Sequence, residues 1–105
     1  MDIVATKFAD SNACADHYKK HRTDFKVASQ QEYERLAAAF CNAPPDAAIM
    51  ECTRARNSDR IRYNILTDAF AVVRRDGLIR TFFVAKVNVH GFRRNLDYFY
   101  HECLN

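Results

Sequence analysis

With 105 residues, 49 % of them hydrophobic and 28 % charged, the chain fits one small folded domain, and its composition argues against disorder. Two glycines and two prolines leave little room for long loops, and no apolar run reaches the roughly 18 residues that a membrane-spanning helix requires. Sixteen Lys and Arg against thirteen Asp and Glu give a net charge of +3, too small an excess to indicate a polyanionic partner by itself.

Residues 1–9 carry no clear periodicity. A first helix is expected from about Ser11 to Arg22, because Cys14, Tyr18, His21 and Phe25 recur at spacings of four, three and four. His17 lies one turn before His21, at the edge of the same face. A second helix opens with Ser29 and Glu32, a capping box. Tyr33, Leu36, Ala37, Phe40 and Cys41 then form one apolar stripe, and Pro44-Pro45 stops it.

Beyond the prolines the pattern turns extended. Residues 48–54 read as a strand, Asn57-Ser58-Asp59 as a turn, and residues 60–66 as an alternating, half-buried strand. Thr67-Asp68 mark a break. Residues 69–75 and 78–87 read as two further strands joined by a two-residue hairpin at Asp76-Gly77. After Gly91 a helix is expected over 92–103, with Phe92, Leu96, Phe99 and Cys103 at helical spacing. Helices followed by a run of strands imply an α+β domain over 1–105. Two N-terminal helices should pack on a twisted four-stranded antiparallel sheet, with a short C-terminal helix and the far sheet face partly open.

Positive charge is clustered: Lys19, Lys20, Arg22 and Lys26 in residues 17–26, Arg54, Arg56, Arg60 and Arg62 in residues 54–62, and Arg74, Arg75 and Arg80 in residues 74–80. Such clusters suit a polyanion through counterion release, and equally describe solvated faces. Cys14, Cys41, Cys52 and Cys103 form no CxxC pair, which excludes a zinc ribbon or a thioredoxin-type motif. Apolar neighbours make each a core residue first, so reduced thiols are expected, one disulfide being the alternative.

His17 and His21 can reach one site and supply a general base and a general acid, the two groups that metal-free RNA cleavage needs. Packing is the competing role for both. Cys14, His17 and His21 have zinc-ligand types at one-turn spacing but lack a fourth ligand, so no metal or other cofactor is expected. His21, between Tyr18 and Phe25, should be the anchored member of the pair, and His17 the freer one.

Arg60 and Arg62 alternate with Ile61 and Tyr63 and share a sheet face, and Arg80 lies on the fourth strand. Their guanidinium groups suit a phosphate, and equally suit a solvent-facing strand dressed with arginine against edge pairing. Thr67 and Thr81 can donate to a phosphoryl oxygen; Tyr63, Tyr98 and Tyr100 can stack a base; Lys19 and Lys20 flank the histidines. No Gly-rich phosphate loop, HExxH, GxSxG or carboxylate cluster is present, so phosphodiester chemistry here must run on His, Arg, Lys, Thr or Tyr.

The string as a whole resembles a group of bacterial toxin domains. His17-Tyr18-Lys19-Lys20-His21, Asp24-Phe25, Tyr33 and Ala37 to Phe40 resemble their opening segment. Arg62-Tyr63-Asn64, Thr67, Phe70-Ala71-Val72, Asp76-Gly77, Ile79 and Thr81-Phe82-Phe83 resemble their closing segment, and Tyr98-Phe99 their tail. The group belongs to the barnase–EndoU–colicin–RelE nuclease fold.

The resemblance implies a metal-independent endoribonuclease that acts on RNA, often tRNA, and leaves a 2′,3′-cyclic phosphate. It implies the toxic end of a larger secreted or surface-displayed protein used in contact-dependent inhibition, active in the target-cell cytoplasm. A cognate immunity protein is the implied partner, and a host elongation factor a further candidate. By position, the implied catalytic residues are His17, His21, Arg62, Thr67 and Thr81, with Lys19, Lys20, Arg60 and Arg80 binding RNA. The alternative is a catalytically silent RNA- or protein-binding module on the same fold.

Overall fold

The computed structural model of the protein describes Ala5 and residues 7–105. Helix α1 (Ser11–Phe25) starts where the Asp10 carboxylate accepts the Ala13 N–H at 2.7 Å. It ends at Lys26, which takes a left-handed conformation at φ 54°. The helix runs three residues past Arg22 because Phe25 gains a partner: its ring stacks on Phe82 at 4.1 Å. Helix α2 (Gln30–Asn42) carries the cap read from Ser29, whose Oγ accepts the Glu32 N–H at 3.1 Å. Glu32 reaches back to the Ala28 N–H at 3.1 Å, one residue earlier than a standard capping box. Ala43 is extended ahead of Pro44, as a residue before proline prefers, and the helix stops there.

Strands β1 (Ile49–Thr53), β2 (Arg60–Asn64), β3 (Ala69–Val73) and β4 (Ile79–Val84) form an antiparallel meander in the order β1-β2-β3-β4. Pleat alternation sends Ala69, Ala71 and Val73 to one face, against Tyr33, Ala37 and Cys41 of α2. Phe70 and Val72, with Ile61 and Tyr63, face the other way. Helix α4 (Asn95–Leu104) packs there through Leu96 and Phe99. The domain is therefore α+β, with two N-terminal helices, a four-stranded antiparallel sheet and a short C-terminal helix, as expected. No helix among the described residues is long and apolar enough to cross a membrane.

The departures from the sequence reading have local causes. The β3–β4 turn holds three residues rather than two. Gly77 sits at φ 92° and donates to the Arg74 carbonyl at 2.9 Å, and Arg74 N–H donates to the Leu78 carbonyl at 2.7 Å. Strand β4 ends at Val84, not residue 87. The Ala85 N–H turns to the Asp68 carbonyl at 2.8 Å, and the chain then forms a four-residue helix, α3 (Val87–His90), closed by Gly91 at φ 80°.

The patternless N-terminal segment also has a place. Phe8 forms a parallel bridge with Ile79 on the outer edge of β4, and its side chain is fully buried. Ala5 is held by the Asn42 side chain, which accepts its N–H at 2.8 Å and donates to its carbonyl at 2.6 Å.

The cysteines divide. Cys14 and Cys41 are buried thiols, and burial pushes them up to about 11 and about 12, so both stay protonated and inert at neutral pH. Cys52 and Cys103 form a disulfide that staples β1 to α4, which corrects the expectation of four reduced thiols. Fifty-one positions separate them, and only the return of α4 over β1 and β2 brings them together.

Candidate functional site

The site begins with an irregularity in β4. Val72 pairs with Thr81, but Val73 pairs with Ile79, so Arg80 is an extra residue in the strand. A bulge of this kind re-aims side chains. Ile79 and Phe82 both point into the helix-side core, and the two residues between them are left to the opposite face. Arg80 and Thr81 accordingly line one hollow with Phe70, Val72 and Tyr98.

Helix α1 lies along β4 and turns its His17–His21 edge toward that hollow. The two rings stack at 5.8 Å between centroids. His17 Nδ1 is 3.4 Å from Thr81 Oγ1, and the His17 ring lies 5.7 Å from Phe8. The His21 ring lies 5.8 Å from Phe83, and its Nδ1 is 3.9 Å from the Asp24 carboxylate. Both histidines are half-buried, and His17, expected to be the freer ring, is itself packed against an aromatic neighbour. The anchor is Phe8, which no helix-phase argument could supply.

Burial is the main force on both rings and lowers their affinity for a proton. Lys20 adds to the effect on His17, while Asp16 opposes it. For His21 the next largest influence is His17 itself, followed by Asp24 in opposition. Two protons on this pair are therefore disfavoured, and the pair is disposed to hold one or none near neutral pH.

A cavity of about 440 Å³ opens beside the pair, lined among others by Lys20, His21, Thr81, Phe83, His90 and Tyr98. A second hollow of about 270 Å³ shares Thr81, Phe83 and Tyr98 with it and continues to Arg54, Arg56 and Arg80. Together they make one trough across the exposed part of the sheet. A third hollow of about 460 Å³ lies over the turns, between Asn57, Arg74, Arg75 and Asp76. It is as large, and Arg80 lines it too, but it is lined by no histidine.

Of the residues singled out from the sequence, His17, His21, Thr81, Lys20 and Arg80 come together. Tyr98 joins them, whereas Tyr63 is buried with its hydroxyl donating to Asp68 at 2.7 Å. Arg62 does not join. It aligns with Ala71 and, across β3, with Phe82, which is the helix-side face. There it is 4 % exposed, paired with Glu51 at 2.7 Å, and donates to the carbonyls of Phe40 at 3.0 Å and of Ala43. Arg60 shares that face and donates to the Cys41 carbonyl at 3.3 Å. Both arginines thus cap the end of α2, satisfying carbonyls that the helix leaves open.

Thr67 is exposed in the β2–β3 turn, where its Oγ1 accepts the Ala69 N–H at 3.3 Å. Lys19 is exposed, about 200° round α1 from His17 at 100° per residue. Cys14 is buried in the core, and among the described residues no three His, Cys, Asp or Glu side chains gather as a metal would require.

Several site residues escaped the sequence reading. Lys86 bonds Asp24 at 2.8 Å, closing one end of the trough. His90 stacks on Tyr98 at 4.5 Å with the planes 1° apart. A lone His in the link between the fourth strand and the last helix gave no signal of this. Asp59, 1 % exposed, holds Arg80 Nε at 2.7 Å and Arg54 at 3.7 Å, and Arg54 also binds Glu102. Neither expectation for residues 54–62, a polyanion surface or a solvated face, fits the whole cluster: two of the four arginines, Arg54 and Arg62, are buried ion-pair partners.

No protein-family model matches the chain, and no curated protein matches it either.

Proposed function

We propose that the chain is a metal-independent endoribonuclease of the bacterial toxin type that its sequence resembles. The observation that carries this reading is the stacked His17–His21 pair, half-buried, with His17 beside Thr81 and His21 in the wall of a basic trough. One neutral imidazole takes the proton of the RNA 2′-hydroxyl, and the 2′-oxygen forms a bond to phosphorus. The P–O5′ bond breaks, and the other ring, as imidazolium, protonates the leaving 5′-oxygen. The products are a 2′,3′-cyclic phosphate and a 5′-hydroxyl. A pair that holds a single proton is the state this reaction needs.

Arg80 and Lys20 are the cations that stabilise the extra phosphoryl charge, and Thr81 orients the phosphate or the His17 ring. Arg62 has no part in this account. The favoured substrate is tRNA, acted on in the cytoplasm of a target bacterium after delivery as part of a larger toxin. An immunity protein would silence the domain by covering the trough. The test is incubation of the purified protein with total tRNA in EDTA, followed by analysis of fragment ends. Discrete fragments with cyclic phosphate ends are the expected result. Intact tRNA would instead support a silent binding module.

A further inference from the structure

Acid–base chemistry uses only the α1 side of the trough. The rest consists of aromatic rings flanked by cations. Phe83 and Tyr98, both half-buried, each lie 5.1 Å from the buried Phe70 ring and separate the two hollows. Tyr98 is backed by the coplanar ring of His90. The His90 ring is itself fixed: Nδ1 accepts the Phe92 N–H at 3.0 Å, and Nε2 is 2.7 Å from Asn95 Oδ1. That pattern of hydrogen bonds fixes the ring on both nitrogens and makes His90 a rigid support.

Cations stand at both ends of this platform. Lys20 lies on the histidine side. Arg56 and Arg80 lie on the other, Arg56 exposed and Arg80 46 % exposed in its side chain. Arg80 is preset by Asp59, which takes only its Nε and so leaves the terminal nitrogens able to meet a phosphate.

We infer that the trough is a binding site for unpaired RNA. One base lies against Phe83 and Tyr98, the scissile phosphate at His17 and His21, and the neighbouring phosphate at Arg56 and Arg80. Aromatic platforms between cations bind single strands because every base has a stacking face and every nucleotide a charge. In a duplex the bases are already stacked and paired, and their faces are closed to a side chain. The site therefore selects loops and single-stranded segments over helices. This inference rests on the ribonuclease reading for its substrate, but its test reads binding.

The test uses a His17→Ala/His21→Ala double variant, so that RNA survives the measurement. Fluorescence anisotropy is read with a labelled single-stranded RNA of mixed sequence and with the same strand annealed to its complement. Binding of the single strand at least tenfold tighter than the duplex is expected. Adding Phe83→Leu or Tyr98→Leu should weaken single-strand binding roughly 5- to 100-fold, the loss of one stacked base, with duplex binding unmoved. Tyr98→Phe, which keeps the ring, should retain the affinity. Arg56→Ala should weaken binding and flatten its dependence on salt.

Equal affinity for duplex and single strand, or indifference to both leucine variants, would overturn the inference. Cleavage by the unsubstituted protein separates the two proposals. Expected single-strand binding beside intact RNA sinks the nuclease reading and keeps the platform. Equal cleavage of strand and duplex keeps the nuclease and sinks the platform.

Discussion

Arg80 and Thr81 are consecutive in β4, yet both project to the same face of the sheet. The bulge that permits this moves Thr81 out of the core and to within 3.4 Å of His17 Nδ1. Without it, Thr81 and the buried Phe82 would exchange faces.

The two threonines assigned from the sequence should therefore differ. Thr81→Val keeps the shape of the side chain and removes the hydroxyl beside His17, and cleavage should fall roughly 3- to 10-fold, the worth of one hydrogen bond. Thr67→Val should leave cleavage unchanged, because that hydroxyl serves only the β2–β3 turn. Single-turnover rates on a tRNA substrate measure both. Equal losses at the two positions would contradict the placement.

Arg62 should behave as a structural residue. Arg62→Met strips a counterion from Glu51 and a donor from the Phe40 and Ala43 carbonyls. Glu51 is about one-third exposed and can regain water. A loss of about 2–3 kcal/mol is expected, the cost of unmet buried groups rather than of a fully buried charge. Urea unfolding reads the loss, while the cleavage rate per folded molecule should hold.

The element pattern was legible where one local rule decided it. Ser29 with Glu32, the Tyr33–Cys41 stripe and a turn at Asp76-Gly77 all depend on neighbours within four residues, and they appear in the fold with small departures: Leu36 of the stripe is exposed, and the turn is one residue longer than expected. The His17–His21 pair was legible for the same reason. What decided the rest is long-range. Alternation placed Arg60 and Arg62 on one face correctly but could not say that the face was the covered one. The bulge at Arg80 is a matter of register between two strands. Phe8, the anchor of His17, sits in a segment with no periodicity, and Cys52 meets Cys103 only through the path of α4.

The disulfide should matter to stability. Closing a loop across 51 positions constrains the unfolded chain, so reduction should cost about 2–4 kcal/mol. Urea midpoints with and without dithiothreitol test this. Coincident curves, with reduction verified by thiol titration, would show that α4 is held by its packing and by Arg54–Glu102 alone.

Stability should also carry the mark of the histidines. Both are lowered from 6.5 in the folded state, so the unfolded chain binds more protons below that value. Stability is accordingly flat above about pH 7 on their account. It should fall as pH drops through the range below 6.5, until both histidines are protonated in the folded state as well. Replacing both with Gln should reduce the slope of unfolding free energy between pH 7 and 5, and an unchanged slope would contradict their burial.

The most direct measurement is the single-turnover rate of RNA cleavage in EDTA by His17→Ala, His21→Ala and the double variant. Each ring is half-buried and packed against a phenylalanine, so both single variants should lose activity, by roughly 10²–10⁴-fold for loss of an acid or a base. The double variant should lose little more than the worse single one, because the two act as a unit. Circular dichroism should report an unchanged fold. A double variant that cuts RNA at the original rate would contradict the histidine mechanism and leave Arg80, Lys20 and Thr81 to account for any cleavage.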